Sequence, residues 1–211
     1  SSLSHAALIW LGVSSTPFQV RNTRGYGAMG GSMMNGGVNQ TVIQIFDVAP
    51  VGLDSGGGER TELIRNVFLE NEGAPLIGWP NDIVMAGDKS AAYVATEQGI
   101  AVIDMTTLRQ FDVKPGGGMS LIRIPGGNVQ KLTLSGDGAF LYAAGTGKIH
   151  VIDLRPGSST YLMSEQITLT GLENATPDVA GKINDIELSS DGKKLFVAVP
   201  MSGMFGDNGW G

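Results

Sequence analysis

The sequence predicts an all-β protein built from repeated antiparallel sheets, and three observations support this prediction. Glycine accounts for 32 of the 211 residues, and it falls in clusters between apolar runs rather than in a Gly-X-Y period. Short apolar segments bounded by Gly, Asp and Asn are typical of strands joined by tight turns. A pair of such segments, with the turn between them, recurs along the chain at a spacing of about 50 residues.

The repeated unit begins with a strand, a tight turn and a second strand. Its three copies are residues 81–95, 130–144 and 184–198. Two copies have Asp137-Gly138 and Asp191-Gly192 at the turn, where residues that tolerate positive φ are needed. The first copy has Asp88-Lys89 there and so departs from the pattern.

A third strand that ends in aspartate follows the turn. The aspartates at these ends are Asp47, Asp104 and Asp153. Because they recur once per unit, we expect them to accept N–H groups of the following turn rather than to act in catalysis. The candidate fourth strands are more polar, as suits an outer edge strand. They are Thr61–Leu69, Met119–Ile124 and Thr160–Leu169.

Units of about 50 residues with four short strands fit a β-propeller blade better than a helical solenoid. The units are a partial first blade, two complete blades and half of a fourth. Their approximate bounds are 6–69, 80–124, 129–169 and 183–199. Because propellers close with about four to eight blades, we expect an incomplete propeller of about 3.5 blades. The remaining blades would come from the same longer polypeptide or from a second copy of the chain.

The repeat also resembles a known family. The pattern apolar-x-apolar-Ser-x-Asp-Gly-x-x-Leu-Phe-Val-Ala, followed by a strand ending Val-Ile-Asp, is similar to the YVTN/lactonase-like β-propeller repeat. The similarity is best over 129–154 and 183–200, fair over 81–105 and weak before residue 50. The resemblance implies the architecture and says little about activity. Such propellers include lactonases, quinoprotein and haem-containing oxidoreductase domains, and surface proteins that only bind.

Composition argues against several classes of function. A net charge of −6 without a Lys/Arg cluster is unsuited to nucleic acid. The absence of cysteine excludes disulfides, thiolate metal sites and c-type haem attachment. Only His5 and His150 are present, so neither a histidine zinc site nor a Ser-His-Asp triad can be placed. The chain has no run of 18 apolar residues, so we expect no membrane span.

Two loops are candidates for a binding surface. The stretch Ser14–Gln40 is the longest non-repetitive part of the chain, and Met201–Gly211 occupies the equivalent place in the fourth blade. Long loops gathered on one face of a propeller suit a protein partner or a small polar ligand. The alternative is an unstructured connection. The residues suited to binding are Arg21, Arg24, Tyr26, Phe205 and Trp210.

The mouth of the central channel is the other candidate site. The first strands begin with Asn81-Asp82 and Asn184-Asp185, and Trp79 precedes the former pair. Carboxylates and amides that converge on the axis would suit a polar ligand or Ca²⁺. The alternative is that these polar strand ends cap backbone groups. We predict no other cofactor.

We therefore predict a non-enzymatic module that binds a ligand or a protein. It would belong to an exported, cell-surface or large multidomain protein and would act outside the cell or in the periplasm. The alternative is a propeller enzyme domain, either a lactonase-like hydrolase or a cofactor-dependent oxidoreductase, whose site lies partly in blades absent from this chain. A structural spacer in a large assembly is a third hypothesis.

Overall fold

A computed structural model of the protein describes residues 6–12, 40–48, 61–114, 118–145, 148–167 and 183–199, with the backbone alone at 6–12, 46–48 and 61–63. Every regular element in these ranges is a β-strand, which confirms the all-β prediction. None of the described residues forms a helix that is long and apolar enough to cross a membrane. The strands are β1 (Ala6–Gly12), β2 (Val42–Val48), β3 (Thr61–Phe68), β4 (Glu70–Asn71), β5 (Ala74–Pro75), β6 (Asp82–Met85), β7 (Ala91–Thr96), β8 (Gly99–Asp104), β9 (Arg109–Phe111), β10 (Lys131–Leu134), β11 (Phe140–Gly145), β12 (Lys148–Asp153), β13 (Ser164–Ile167), β14 (Asp185–Leu188) and β15 (Leu195–Ala198).

The strands form successive antiparallel sheets in which sequence neighbours pair. Blade 1 is β1-β2-β3, blade 2 is β6-β7-β8-β9, blade 3 is β10-β11-β12-β13 and blade 4 is β14-β15. The first strands of blades 2, 3 and 4 lie side by side, and β3 of blade 1 lies beside the outermost strand β9 of blade 2. Meander sheets that succeed one another around their first strands form a β-propeller. The described part is an incomplete propeller, as the sequence predicts.

The apolar core lies between the blades, because the central strands of blades 2 and 3 bury both of their faces. In β7, Tyr93 and Ala95 face blade 3, whereas Ala92 and Val94 face blade 1. This alternation follows from the two-residue period of a strand. The fully buried isoleucines and leucines at the three junctions include Ile43, Ile45, Leu69, Ile100, Ile103, Ile122, Leu141, Ile149 and Ile152.

The turns between the first and second strands are held by a serine and an aspartate. In blade 3, Ser135 Oγ donates to Asp137 Oδ1 at 2.6 Å and accepts the N–H of Phe140 at 2.9 Å. Asp137 Oδ1 also accepts the N–H of Ala139 at 3.0 Å. Blade 4 repeats these bonds through Ser189, Asp191, Lys193 and Lys194.

The departure of the first turn from Asp-Gly leaves a lysine in the left-handed region. Lys89 has φ of 61°, close to the 70° of Gly138 and the 69° of Gly192 at the equivalent positions. The turn is retained because Asp88 Oδ1 accepts both the N–H and the hydroxyl of Ser90, at 2.9 and 2.7 Å. The prediction of a tight turn in each copy is thus confirmed, and the first turn departs from the pattern through strain at Lys89.

The aspartates that end the third strands have the structural role predicted for them. Asp104 Oδ1 accepts the N–H groups of Thr106 and Thr107 at 2.7 and 3.0 Å. Asp153 Oδ1 accepts the N–H of Arg155 at 2.9 Å. The side chain of Asp47 lies outside the described residues.

The fourth strands agree with the prediction in blades 1 and 3 but not in blade 2. There the strand is Arg109–Phe111, and the expected segment Met119–Ile124 contributes only an isolated bridge between Ile122 and Ile100. The short strand is anchored because the side-chain amide of Gln110 accepts the N–H and donates to the carbonyl of Glu70, both at 2.8 Å. Leu121, Ile122 and Ile124 of the expected segment are buried in the core instead of forming a polar edge.

Candidate functional site

The first pair of channel-mouth residues connects two blades. Asn81 Nδ2 donates to the carbonyl of Val129 in blade 3 at 2.7 Å. Asp82 Oδ1 accepts the N–H of Ile83 in its own strand at 2.9 Å, and Asp82 Oδ2 accepts the N–H of Leu132 in blade 3 at 2.9 Å. These contacts correspond to the capping alternative.

The second pair has the same sequence but fewer contacts. Asp185 Oδ1 accepts the N–H of Ile186 at 3.1 Å, as Asp82 does with its own neighbour. Asn184 and Asp185 are exposed, and the other oxygen of Asp185 accepts no hydrogen bond from the described residues. Trp79 is 54% exposed just before β6.

The other predicted binding residues cannot be placed in this geometry. Arg21, Arg24, Tyr26, Phe205 and Trp210 lie outside the described residues, as does nearly all of the stretch Ser14–Gln40. Among the residues that are described, no group of three or more His, Cys, Asp or Glu side chains is placed to hold a metal ion. Ca²⁺ at the channel mouth stays a prediction.

A groove of about 380 Å³ lies between blades 2 and 3, and sequence analysis did not predict it. It is bounded by the first turns of both blades, by the ends of β8 and β9, and by the segment that follows β12. Its lining combines apolar side chains with three aromatic rings and three carboxylates. The aromatic residues and aspartates are Tyr93, Phe111, Tyr161, Asp88, Asp104 and Asp137.

Tyr93 is the most buried of the aromatic residues in the groove. It is only 8% exposed, and its hydroxyl makes no hydrogen bond within the described part of the chain. Burial raises the pKa of Tyr93 to about 12, with smaller contributions from the charges of Tyr161 and Asp88. Since both of these residues also line the groove, the hydroxyl of Tyr93 faces it.

The other two aromatic side chains are accessible. Phe111 is 42% exposed at the end of β9, and Tyr161 is 40% exposed. The backbone of Tyr161 is fixed, because its N–H donates to the carbonyl of Ser158 at 3.1 Å and it forms a bridge with Asp153. The groove thus combines one buried ring with two rings that a ligand can reach.

The three groove carboxylates are held in fixed orientations by their turns. The hydroxyl and N–H of Ser90 lower the pKa of Asp88, and the N–H groups of Thr107 and Thr106 lower that of Asp104. The hydroxyl of Ser135, followed by the N–H of Ala139, lowers the pKa of Asp137. Each carboxylate is therefore ionised at neutral pH.

A nearby cation is already paired. The guanidinium of Arg155 donates to Asp153 through Nε at 2.9 Å and through Nη2 at 2.8 Å. It also lies over the ring of Phe140, 4.8 Å from the centroid. Arg155 lowers the pKa of Asp137 slightly, but its hydrogen bonds go to Asp153.

The sequence contains a signal for this groove that becomes clear only with the fold. Tyr93, Tyr142 and Phe196 occupy the same position in the second strands of blades 2, 3 and 4. Tyr93 packs toward blade 3 and Tyr142 toward blade 4, whereas Phe196 is 60% exposed. An aromatic residue at each junction, beside the turn aspartate, is the pattern that would have indicated an inter-blade site.

Comparisons with known proteins find similarity in structure alone. The chain is 20% identical to a Bacteroides uniformis protein provisionally described as a 6-phosphogluconolactonase, with a TM-score of 0.46 over 78% of this chain and 46% of that one. It is 12% identical to the β-propeller domain of Cps50 (Swd1) from Myceliophteria thermophila, with a TM-score of 0.34 over 76% of this chain and 56% of that one. The chain thus spans about half of the length of each. No protein-family model and no curated protein matches it.

Proposed function

We propose that this chain is a non-enzymatic binding module whose site is the groove between blades 2 and 3. The observation that carries the proposal is the side chain of Tyr93, which is 8% exposed at the groove and whose hydroxyl makes no hydrogen bond to the described residues. The ring is therefore held in the core while the hydroxyl is available at the groove. A ligand that enters the groove can bond this hydroxyl without breaking a hydrogen bond within the described part of the chain.

The size and lining of the groove support the same function. Its 380 Å³ falls within the roughly 300–1,000 Å³ of small-molecule sites. Such sites combine apolar walls with a few fixed polar groups. The groove could equally admit a single side chain of a protein partner. The same site would then serve to bind either a small ligand or a protein.

The protonation states favour binding over acid–base catalysis. General acids and bases work best when their pKa lies near the operating pH. In this groove the pKa of Tyr93 is raised to about 12, whereas the pKa values of Asp88 and Asp137 are lowered by hydrogen bonds from their turns. None of these three groups is suited to exchange a proton with a substrate at neutral pH.

Two further parts of the proposal rest on the sequence. We assign the blades to the YVTN type on the turn pattern described above, and we place the parent protein outside the cytoplasm because the chain has no cysteine and a low content of charged residues, 16%. Fractionation of the source cells, followed by immunoblotting for this chain, tests the location. Recovery in the cytoplasmic fraction alone would contradict it.

The binding function can be tested by ¹⁹F NMR of protein labelled with 3-fluorotyrosine. The chain has four tyrosines, so the spectrum is simple, and Tyr→Phe variants assign it. A panel of cationic, neutral and anionic fragments is titrated at pH 7. We expect at least one fragment to shift the signals of Tyr93 and Tyr161 and to leave that of Tyr142, which packs at the next junction, unchanged.

The matched control is Tyr93→Phe, which keeps the ring in the core and removes only the hydroxyl. The signal of Tyr161 then reports binding, and we expect weaker affinity for any fragment that bonds Tyr93. If no class of fragment shifts Tyr93 or Tyr161 at millimolar concentration, the groove is not a binding site and the proposal is wrong.

A further inference from the structure

The charge of the groove indicates the class of ligand. This inference rests on the proposed function and extends it. Asp88, Asp104 and Asp137 line the groove, and each is ionised because hydrogen bonds from its own turn lower its pKa. The ion pair among the described residues is Arg155 with Asp153, so none of the three groove carboxylates is neutralised by direct contact with a described cation.

The aromatic rings of the groove also favour a positively charged ligand. The face of an aromatic ring carries partial negative charge and attracts ammonium and guanidinium groups placed within about 6 Å of its centre. Phe111 and Tyr161 are both partly exposed at the groove, and Tyr93 lies deeper. Three rings beside three carboxylates make the groove attractive to a cation and repulsive to an anion.

The apolar base limits what the rest of the ligand can be. Ala86, Ala91, Val102 and Leu154 line the groove between the charged turns. A bare metal ion gains nothing from such a surface, and within the described residues no three His, Cys, Asp or Glu side chains are close enough together to hold one. A compact molecule with an apolar body covers these side chains, and its apolar part gives up no strongly bound water.

We propose that the groove binds a compact organic cation, with an ammonium or guanidinium group against Phe111 and Tyr161 and an apolar body on the base of the groove. Asp88 and Asp137 stabilise the cation from the two turns. The hydroxyl of Tyr93 bonds a polar atom of the ligand. The same cation carried on a lysine or arginine side chain of a protein would use the same contacts.

The test compares two molecules that differ in charge but not in shape. Choline and 3,3-dimethylbutan-1-ol are titrated into fluorotyrosine-labelled protein, with glucose as a neutral polyol and acetate as an anion. We expect choline to bind about tenfold more tightly than its neutral isostere, which is equivalent to about 1.4 kcal/mol. We also expect the affinity for choline to fall as salt is added, because the carboxylates are exposed.

Variants then show which carboxylates attract the cation. Asp88→Asn and Asp137→Asn keep a side-chain oxygen for the turn and remove the charge, so each is expected to weaken choline binding about threefold without changing the binding of the isostere. Asp191→Asn is the matched control, because Asp191 occupies the same turn position in blade 4, away from the groove. An unchanged Tyr142 signal verifies that each variant is folded.

The possible outcomes separate this inference from the proposed function. If choline and its isostere bind equally, or if glucose or acetate binds and choline does not, the groove is a binding site but the cation inference is wrong. If none of the four molecules and none of the fragment panel shifts Tyr93 or Tyr161, both are wrong. Tighter binding of choline that is weakened about threefold in Asp88→Asn and unchanged in Asp191→Asn supports both.

Discussion

The carboxylate of Asp82 accepts the backbone N–H of Leu132 at 2.9 Å and thereby joins the first strands of two successive blades. Its other oxygen accepts the N–H of Ile83, so a single side chain stabilises its own strand and holds the next one. Asn81 adds a second bond across the same junction, to the carbonyl of Val129. β6 and β10 belong to separate sheets and do not pair through their main chains. The side chains of Asp82 and Asn81 connect blades 2 and 3 at this point.

Removal of the Asp82 carboxylate is expected to destabilise the protein. Asp82→Ala leaves the N–H of Leu132 without its acceptor, which costs about 1–3 kcal/mol for a bond to a charged group. Asp185→Ala is the matched control, because among the described residues Asp185 bonds its own strand alone, through Ile186. Urea unfolding followed by circular dichroism measures both. Equal losses in the two variants would show that the bond to Leu132 contributes nothing.

The left-handed conformation of Lys89 predicts a stabilising substitution. Lys89 has φ of 61°, a conformation that costs an L-residue about 1–2 kcal/mol and glycine almost nothing. Glycine also loses more conformational freedom on folding, which offsets part of the gain. We therefore expect Lys89→Gly to raise the free energy of unfolding by about 0.5–1 kcal/mol, measured by urea unfolding.

The reverse substitution provides the control. Gly138 has φ of 70° at the equivalent turn position, and a Cβ there would meet no atom within 4 Å. Gly138→Ala therefore changes only backbone strain, and we expect it to destabilise the protein by a similar amount. A destabilising effect of Lys89→Gly would mean that the lysine side chain makes a compensating contact.

The sequence predicts the architecture well because local chemistry specifies it. Asp137-Gly138 and Asp191-Gly192 fix the turns, and the two-residue period of the strands fixes which side chains are buried between blades. The recurrence of Asp104 and Asp153 correctly indicates a structural role. Each of these signals acts within a few residues along the chain, so it can be recognised without knowledge of the fold.

The candidate site was not predictable in the same way. Asp88 and Asp137 come from turns of different blades and line one groove only because blades 2 and 3 pack together. The same packing brings Leu132 to Asp82, a bond across blades that the sequence alone does not reveal. The prediction of the fourth strand of blade 2 was also wrong, because the strand that forms there is held by bonds between Gln110 and Glu70, which are 40 residues apart in the sequence.

The ion pair of Asp153 predicts a loss of stability in acid. The side chain of Arg155, followed by the hydroxyl of Thr160 and other donors, holds the pKa of Asp153 far below its ordinary value of 3.8. Since the unfolded chain takes up this proton first, the stability from Asp153 is full above about pH 4 and is lost progressively below it. We expect the free energy of unfolding to fall between pH 5 and pH 2.

Asp153→Asn separates this carboxylate from the others that titrate in the same range. The variant lacks the ion pair with Arg155 at every pH, so it should be less stable than the original chain at pH 7. The difference between the two should shrink as the pH falls below about 4. Thermal unfolding at pH 7, 4 and 2.5 measures it, and a constant difference at all three values would contradict the assignment.

His150 predicts a second pH dependence at a higher pH. It is 2% exposed in β12, and its Nδ1 has no hydrogen-bond partner among the residues that the structure describes. Burial, with a smaller contribution from the charge of Lys148, lowers the pKa of His150 from its ordinary value of 6.5. The unfolded chain therefore binds a proton more readily, so the stability from neutral His150 is full above about pH 6.5 and decreases below it.

His150→Leu tests this dependence, because leucine fills a similar space and cannot take up a proton. We expect the variant to be about as stable as the original chain at pH 7.5, since the unpaired Nδ1 is removed with the ring. Between pH 7 and pH 5 the original chain should lose stability and the variant should not, as measured by urea unfolding. The carboxylates titrate below this window, so parallel curves for the two proteins would show that His150 is not buried in its neutral form.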